Sequence, residues 1–157
     1  MEPVSKELFD RCLKASLQQF NLTCLKKEQR DCVEQLVLSR QDVFAVLPTG
    51  YGKSIIYQIL PTLLSRISTE CNNTSTNNAT VIVVSPLEYI RKQQVDRLQK
   101  LGIAAATLER FNDGTHIPQI IYGSAENWLS NKWKTQLQQM PWIKALVVDE
   151  VRTVETW

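Results

Sequence analysis

A glycine-rich segment carries the residue types that bind the phosphates of a nucleotide. It has the sequence PTGYGKS at residues 48–54 and follows a short apolar run. Gly50 and Gly52 permit a tight loop whose backbone N–H groups face phosphate oxygens. Lys53 can reach the β- and γ-phosphates, and the Ser54 hydroxyl can ligate Mg²⁺. The segment predicts a nucleoside triphosphate site. Because the first glycine of the strict pattern is missing, a glycine-rich turn without a ligand is the alternative.

The second group with chemical potential is the acidic pair Asp149 and Glu150. It follows four apolar residues, ALVV at 145–148, which is the pattern of a buried strand. In a parallel sheet this position puts Asp149 at the carboxyl edge, beside the phosphate loop. There Asp149 can hold Mg²⁺ through water, and Glu150 can orient and deprotonate an attacking water. Alone, the pair could equally be a solvated strand end; with the loop, it predicts a site that binds and hydrolyses a nucleoside triphosphate.

Hydrophobic periodicity predicts the elements that must position these residues. Helical spacing indicates helices at about residues 5–19, 27–38, 53–65 with a bend at Pro61, and 87–101. Short apolar runs indicate strands at residues 43–47, 80–85, 103–108, 118–122 and 145–148. Further helical segments precede the last strand, and we expect their Trp128 and Trp133, with the neighbouring Trp142, to serve packing. Because strand and helix alternate, the expected fold is α/β, a three-layer lobe with a mainly parallel central sheet.

The hydrophobic periodicity changes from helical to strand-like near residue 43, which predicts how the chain is organised. Residues 1–40 should form N-terminal helices, and residues 41–157 should form the nucleotide-binding lobe. Residues 68–80 are rich in Ser, Thr and Asn, which predicts a flexible surface loop.

Charge and cysteine content exclude several classes of protein. The 18 basic and 16 acidic residues leave a net charge of +2, so a nucleic-acid role must rest on local motifs. The four cysteines lack C-x-x-C spacing and only one histidine is present, which argues against a zinc site or a disulfide framework and indicates an intracellular protein. No apolar stretch approaches the roughly 18 residues of a membrane span, so no membrane partner is expected.

Several motifs in order resemble those of RecQ-type DNA helicases, superfamily 2 enzymes with two RecA-like lobes. The phosphate loop continues into YQxxP at 57–61, and Leu25, Lys26 and Gln29 upstream are similar to the adenine-recognition motif of that family. The segment VVSPL at 83–87, SAE at 124–126 and the acidic pair resemble later motifs in the same order. The resemblance spans residues 9–157 and implies a RecA-like first lobe.

The resemblance implies ATP and Mg²⁺ as cofactors, and single-stranded or partly duplex DNA as the partner. It assigns nucleotide binding to Lys26, Gln29, Thr49, Gly50, Gly52, Lys53 and Ser54. It assigns catalysis to Lys53, Asp149 and Glu150, and the metal to Ser54 and Asp149. It assigns contacts with a nucleic-acid strand to Ser85, Lys92, Gln94 and Trp157. Gln29 would hydrogen-bond the adenine edge and favour ATP over GTP. From the residues alone, Gln29 and the Ser85–Gln94 group could instead belong to a solvated surface.

The chain also departs from the pattern that it resembles. Val151 and Arg152 follow the acidic pair where the family has Ala and His, and the sequence ends at Trp157, before the second RecA-like lobe. We therefore expect the ATP-binding lobe of a RecQ-like 3′–5′ DNA helicase, C-terminally incomplete, from a nuclear protein. The alternative is a remnant that binds ATP or nucleic acid without catalysis.

Overall fold

The computed structural model describes residues 3–48, 50–72, 79–111 and 116–149. They fall into two compact units, Met1–Asn77 and Asn78–Trp157. No helix in the described ranges is both long and apolar enough to cross a membrane.

The first unit is helical. Its elements are α1 (Lys6–Gln19), α2 (Lys27–Val37), α3 (Ser54–Gln58) and α4 (Leu60–Asn72). Ser5 caps α1, because its hydroxyl accepts the Leu8 N–H at 3.2 Å. Helix α1 packs against α4, and α2 packs against α3. The buried side chains include Phe9, Val33, Ile59 and Leu63. The predicted phosphate loop lies between α2 and α3 in the sequence, and the packing of these two helices holds both of its flanking elements together.

The two N-terminal helices agree with the prediction, but the third differs. The predicted helix at 53–65 is two helices, separated at Ile59 rather than bent at Pro61. Pro61 lies in the first turn of α4, where a missing N–H costs no intrahelical hydrogen bond. Helix α4 then continues through Asn72, so the prediction of a loop over 68–80 is wrong for residues 68–72. Residues 73–78 lie outside the described residues.

The predicted strand at residues 43–47 is wrong. Residues 40–48 have no regular secondary structure, and Phe44 and Val46 are 74% and 80% exposed. A parallel strand is stable only when a neighbour supplies its hydrogen bonds. Among the described residues, no strand pairs with this segment. The strand was predicted from the apolar composition of residues 43–47 alone, and composition does not show whether a neighbouring strand is present.

The second unit contains the sheet. Its elements are β1 (Thr80–Val84), α5 (Glu88–Lys100), β2 (Ala105–Thr107), β3 (Ile120–Gly123), α6 (Ala125–Trp128), α7 (Asn131–Leu137) and β4 (Ile143–Val148). The strand order is β2-β3-β1-β4 and every pair is parallel. This confirms the α/β fold with a parallel sheet and the four predicted strands after residue 79.

The sheet buries both faces of its two central strands, β1 and β3. On one face, side chains from strands and helices form a single apolar cluster, consisting of Ile82, Val84, Leu108, Phe111, Ile121, Trp128 and Trp133. The rings of Trp128 and Trp133 meet edge to face at 5.9 Å, which confirms their predicted packing role. Strand β4 was predicted to be buried, but it forms an edge of the described sheet, and its Leu146 is 64% exposed.

A close approach at Gly123 gives a stability prediction. A Cβ atom there would lie 2.6 Å from Trp128 Nε1, and this indole N–H donates to the Val83 carbonyl at 3.1 Å. We expect Gly123→Ala to lower the free energy of unfolding by about 1–3 kcal/mol, because the buried indole must shift. Urea unfolding of the single variant and of Gly123→Ala with Trp128→Phe tests this. The smaller ring should remove most of the cost; equal stability of parent and Gly123→Ala would contradict the prediction.

Candidate functional site

The predicted phosphate loop has a tight backbone that depends on its two glycines. Gly50 has φ of 82° and Gly52 has φ of 95°, which are conformations that side chains disfavour. The Tyr51 N–H donates to the Pro48 carbonyl at 3.1 Å and closes a turn. Helix α3 begins directly afterwards at Ser54. Thr49 lies outside the described residues.

Gln29 ties the start of α2 to this loop. The side chain is only 6% exposed. Its Oε1 accepts the Lys26 N–H at 2.8 Å, as in a capping box, and its Nε2 donates to the carbonyls of Tyr51 at 3.3 Å and Gly52 at 2.9 Å. Among the described residues, the amide nitrogen of Gln29 therefore donates only to the loop. Gly52 is also required sterically, since a Cβ there would lie 2.8 Å from Gln29 Nε2.

The anchored carbonyls determine where the loop donors point. In a trans peptide the C=O and the following N–H point in opposite directions, and the described residues contain no cis peptide bond. Because the carbonyls of Tyr51 and Gly52 face Gln29, the N–H groups of Gly52 and Lys53 face away from it. Adjacent N–H groups that share an orientation are the donors that bind an anion in backbone nests.

Lys26, also predicted to bind nucleotide, contacts the loop in this structure. Its Nζ donates to the Tyr51 carbonyl at 2.9 Å and lies 4.4 Å from the centre of the Tyr51 ring. The Tyr51 hydroxyl donates to the Glu28 carboxylate. This bond lowers the pKa of Glu28 and raises the pKa of Tyr51. The bond therefore weakens in acid, because protonation of Glu28 below its ordinary pKa of 4.5 removes the charge of the acceptor. It is lost in base above the ordinary pKa of 10.0 of the Tyr51 phenol, because the donor proton is then removed.

Lys53 and Ser54 have side chains suited to a ligand. Both are half-buried at the junction of the loop and α3. Lys53 forms no ion pair with another residue in the described ranges. An ammonium group, a hydroxyl group and oriented N–H groups fit the phosphates of ATP and an associated Mg²⁺.

The acidic pair belongs to the second unit. Asp149 follows β4, is partly exposed, and its N–H donates to the Val84 carbonyl at 2.9 Å. The carboxylate thus lies at the carboxyl end of a parallel strand, as predicted. Glu150, Arg152 and Trp157 lie outside the described residues. The placement of Asp149 beside the phosphate loop stays a prediction, because the two belong to different units.

The residues predicted to contact nucleic acid differ in accessibility. Ser85 is only 2% exposed; its N–H donates to the Gly123 carbonyl at 3.0 Å, and its carbonyl accepts Arg91 Nη1 at 2.6 Å. Lys92 is exposed and forms an ion pair with Glu88 at 2.9 Å. Gln94 is half-buried. Lys92 is therefore the most accessible of the three, while the Ser85 side chain is covered.

Sequence reasoning missed three residues at these places. Tyr51 and Glu28 fasten the phosphate loop, and the buried Arg91 holds the end of β1. Tyr51 occupies a position that the loop pattern leaves open, and Glu28 and Arg91 have the spacing of ordinary helix residues. No local signal distinguishes them, because their roles depend on partners distant in sequence.

Comparison with known proteins agrees with this geometry. A family model described as DEAD/DEAH box helicase matches residues 26–157. The probable ATP-dependent DNA helicase RecS of Bacillus subtilis is 31% identical over 88% of this chain and 27% of its own length. The ATP-dependent DNA helicase RecQ of Synechocystis sp. is 32% identical over 81% of this chain and 26% of its own length. The ATP-dependent helicase wrn-1 of Caenorhabditis elegans is 32% identical over 84% and 12%, respectively.

The chain therefore belongs to the DEAD/DEAH box helicase family. Within it, the resemblance to RecQ-type helicases is confirmed by relatives that cover most of the chain. The chain spans less than a third of the length of these relatives.

Proposed function

We propose that this chain is the ATP-binding lobe of a RecQ-like DNA helicase. The observation that carries the proposal is the prepared phosphate loop in a chain of the helicase family. Gln29 and Lys26 hold its carbonyls on one side, which turns the Gly52 and Lys53 N–H groups the other way. That arrangement suits a polyphosphate, and the relatives carry names of ATP-dependent helicases.

The residues divide the work of binding and hydrolysis. The N–H groups of the loop hold the phosphate oxygens, and Lys53 neutralises charge on the β- and γ-phosphates. Ser54 and Asp149 would hold Mg²⁺, which when bound neutralises charge on the phosphates. Glu150 orients the attacking water and accepts its proton as the water oxygen bonds to the γ-phosphorus and the ADP oxygen leaves.

Coupling to DNA is proposed for a protein of the length of these relatives. There, this lobe would couple hydrolysis to 3′–5′ unwinding of DNA, with Lys92, Gln94 and Trp157 along the strand. Ser85 would join them if its covered hydroxyl became accessible. Repair and recombination in the nucleus are the processes that such an activity would serve.

A second candidate function follows from the sequence beyond the acidic pair. Arg152 stands where the resembled motif has a histidine that links nucleotide state to DNA. A guanidinium is a donor only and stays charged, so it cannot accept the hydrogen bonds that an imidazole accepts. The alternative is a lobe that binds ATP or nucleic acid without turnover.

Calorimetry and hydrolysis assays separate these functions. We expect the 157-residue chain to bind Mg-ATP, because the phosphate loop lies within one described unit. For the helicase function, single-stranded DNA should stimulate hydrolysis by a protein that carries this lobe, and Glu150→Gln should abolish it. Binding of Mg-ATP without any DNA-stimulated hydrolysis would favour the second candidate. If the chain did not bind Mg-ATP, an ATP-binding role would be excluded for both candidates.

A further inference from the structure

The residue between the two glycines of the phosphate loop is fastened from three sides. The Tyr51 hydroxyl donates to Glu28, the Tyr51 carbonyl accepts Lys26 Nζ and Gln29 Nε2, and the ring lies 4.4 Å from the Lys26 ammonium. All three partners come from the first turn of α2. The loop and the helix start are thus joined through one side chain and its carbonyl.

We propose that Tyr51 and Glu28 form a brace that positions the phosphate loop for the triphosphate. The proposal rests on the proposed ATP-binding function. Tyr51 and Glu28 are positioning residues, since their bond joins the loop to α2 and leaves the phosphates to Lys53 and the loop N–H groups. The ligand affected is the polyphosphate moiety, whichever base it carries.

The physical reason is the cost of ordering a glycine-rich loop. Glycine has more backbone freedom than any other residue, so Gly50 and Gly52 lose more conformational entropy when a ligand holds them. A contact that holds the loop beforehand reduces that cost at the moment of binding. Tyr51 lies between the two glycines, so its fixation restricts both. The Tyr51 carbonyl is one of the two whose orientation turns the loop N–H groups outward.

The same contacts contribute little to the fold itself. Glu28 is exposed and Tyr51 is half-buried, and neither belongs to the apolar core of its unit. A hydrogen bond between such groups has a small net effect on unfolding. Loss of the bond should therefore leave the unfolding temperature nearly unchanged. A role confined to stability would lower the unfolding temperature, whereas a positioning role weakens ligand binding at an unchanged unfolding temperature.

The test compares affinity for Mg-tripolyphosphate, which has no base, with the unfolding temperature. Tyr51→Phe removes the hydroxyl and keeps the ring beside Lys26. Glu28→Ala removes the acceptor, and Glu28→Gln restores an acceptor oxygen. We expect Tyr51→Phe and Glu28→Ala each to weaken binding about three- to ten-fold, the range of one hydrogen bond, with an unchanged unfolding temperature. Glu28→Gln should bind more tightly than Glu28→Ala.

The double variant completes the experiment. Because both substitutions break the same bond, Tyr51→Phe with Glu28→Ala should bind no more weakly than the weaker single variant. Additive losses, unchanged affinity in both single variants, or a loss of affinity matched by a lower unfolding temperature would overturn the brace. If the unsubstituted chain bound neither Mg-ATP nor Mg-tripolyphosphate, the proposed function would fall and the brace with it.

Discussion

Replacing Lys53 with alanine is expected to weaken Mg-ATP binding by about 10- to 100-fold while leaving the fold intact. The side chain lies at the junction of loop and helix, outside the apolar core, and forms no ion pair with the other described residues. Its loss removes one charge-assisted contact with the phosphates, which accounts for the magnitude. Calorimetric titration measures the affinity, and thermal unfolding checks the fold.

Lys27→Ala is the matched control for this substitution. Lys27 carries the same charge in the same unit, is exposed, and lies in the first turn of α2. If Lys53 acts by direct contact, the control should bind Mg-ATP like the parent. Equal weakening in the two variants would mean that general positive charge, rather than the contact of Lys53 with phosphate, attracts the nucleotide.

Replacing Gln29 is expected to weaken the binding of every triphosphate, whatever its base. Gln29→Glu keeps the oxygen that accepts the Lys26 N–H, but it sets a carboxylate oxygen against the carbonyls of Tyr51 and Gly52. The repulsion between the carboxylate and the carbonyl oxygens should displace the loop. The affinity for ATP, GTP and tripolyphosphate should fall by about 10-fold or more, because two hydrogen bonds are also lost. Competition titrations with the three ligands measure this.

The outcome separates two roles for the Gln29 amide. A group that only reads adenine would change the ratio of ATP to GTP affinity and leave tripolyphosphate binding unchanged. In this structure the Gln29 amide nitrogen donates to two loop carbonyls, so reading of adenine would compete with these bonds or use the second lone pair of Oε1. Unchanged tripolyphosphate binding by Gln29→Glu would contradict the loop-anchoring role.

Two glycine substitutions provide a matched pair for the same contact. Gly50 and Gly52 both have positive φ, so alanine introduces backbone strain at each. Only at Gly52 does the added Cβ meet the Gln29 amide, whereas at Gly50 nothing lies within 4 Å. Gly52→Ala should therefore weaken tripolyphosphate binding more than Gly50→Ala does. Equal losses would attribute the effect to strain alone.

Part of the fold could be predicted because its causes are local. Continuous apolar runs indicated β1 and β3, and helical spacing indicated α1, α2 and α5, since side-chain periodicity follows directly from backbone geometry. The same reasoning failed at residues 43–47, where an apolar run has no strand beside it among the described residues. A strand is stabilised by hydrogen bonds to a neighbouring strand, and a short apolar segment of sequence does not show whether that neighbour exists.

By itself, the sequence determined the chemistry that this protein offers. Gly50, Gly52, Lys53 and Ser54 have the types and the order that predict a phosphate loop, because few other residues permit that backbone and carry those donors. Only the tertiary structure decided how the loop is held. Gln29, Lys26 and Glu28, at the start of another helix, contact the loop through Tyr51. The loop pattern allows any residue at the Tyr51 position. Hydrogen bonds between distant residues depend on how the helices pack, and packing depends on the chain as a whole.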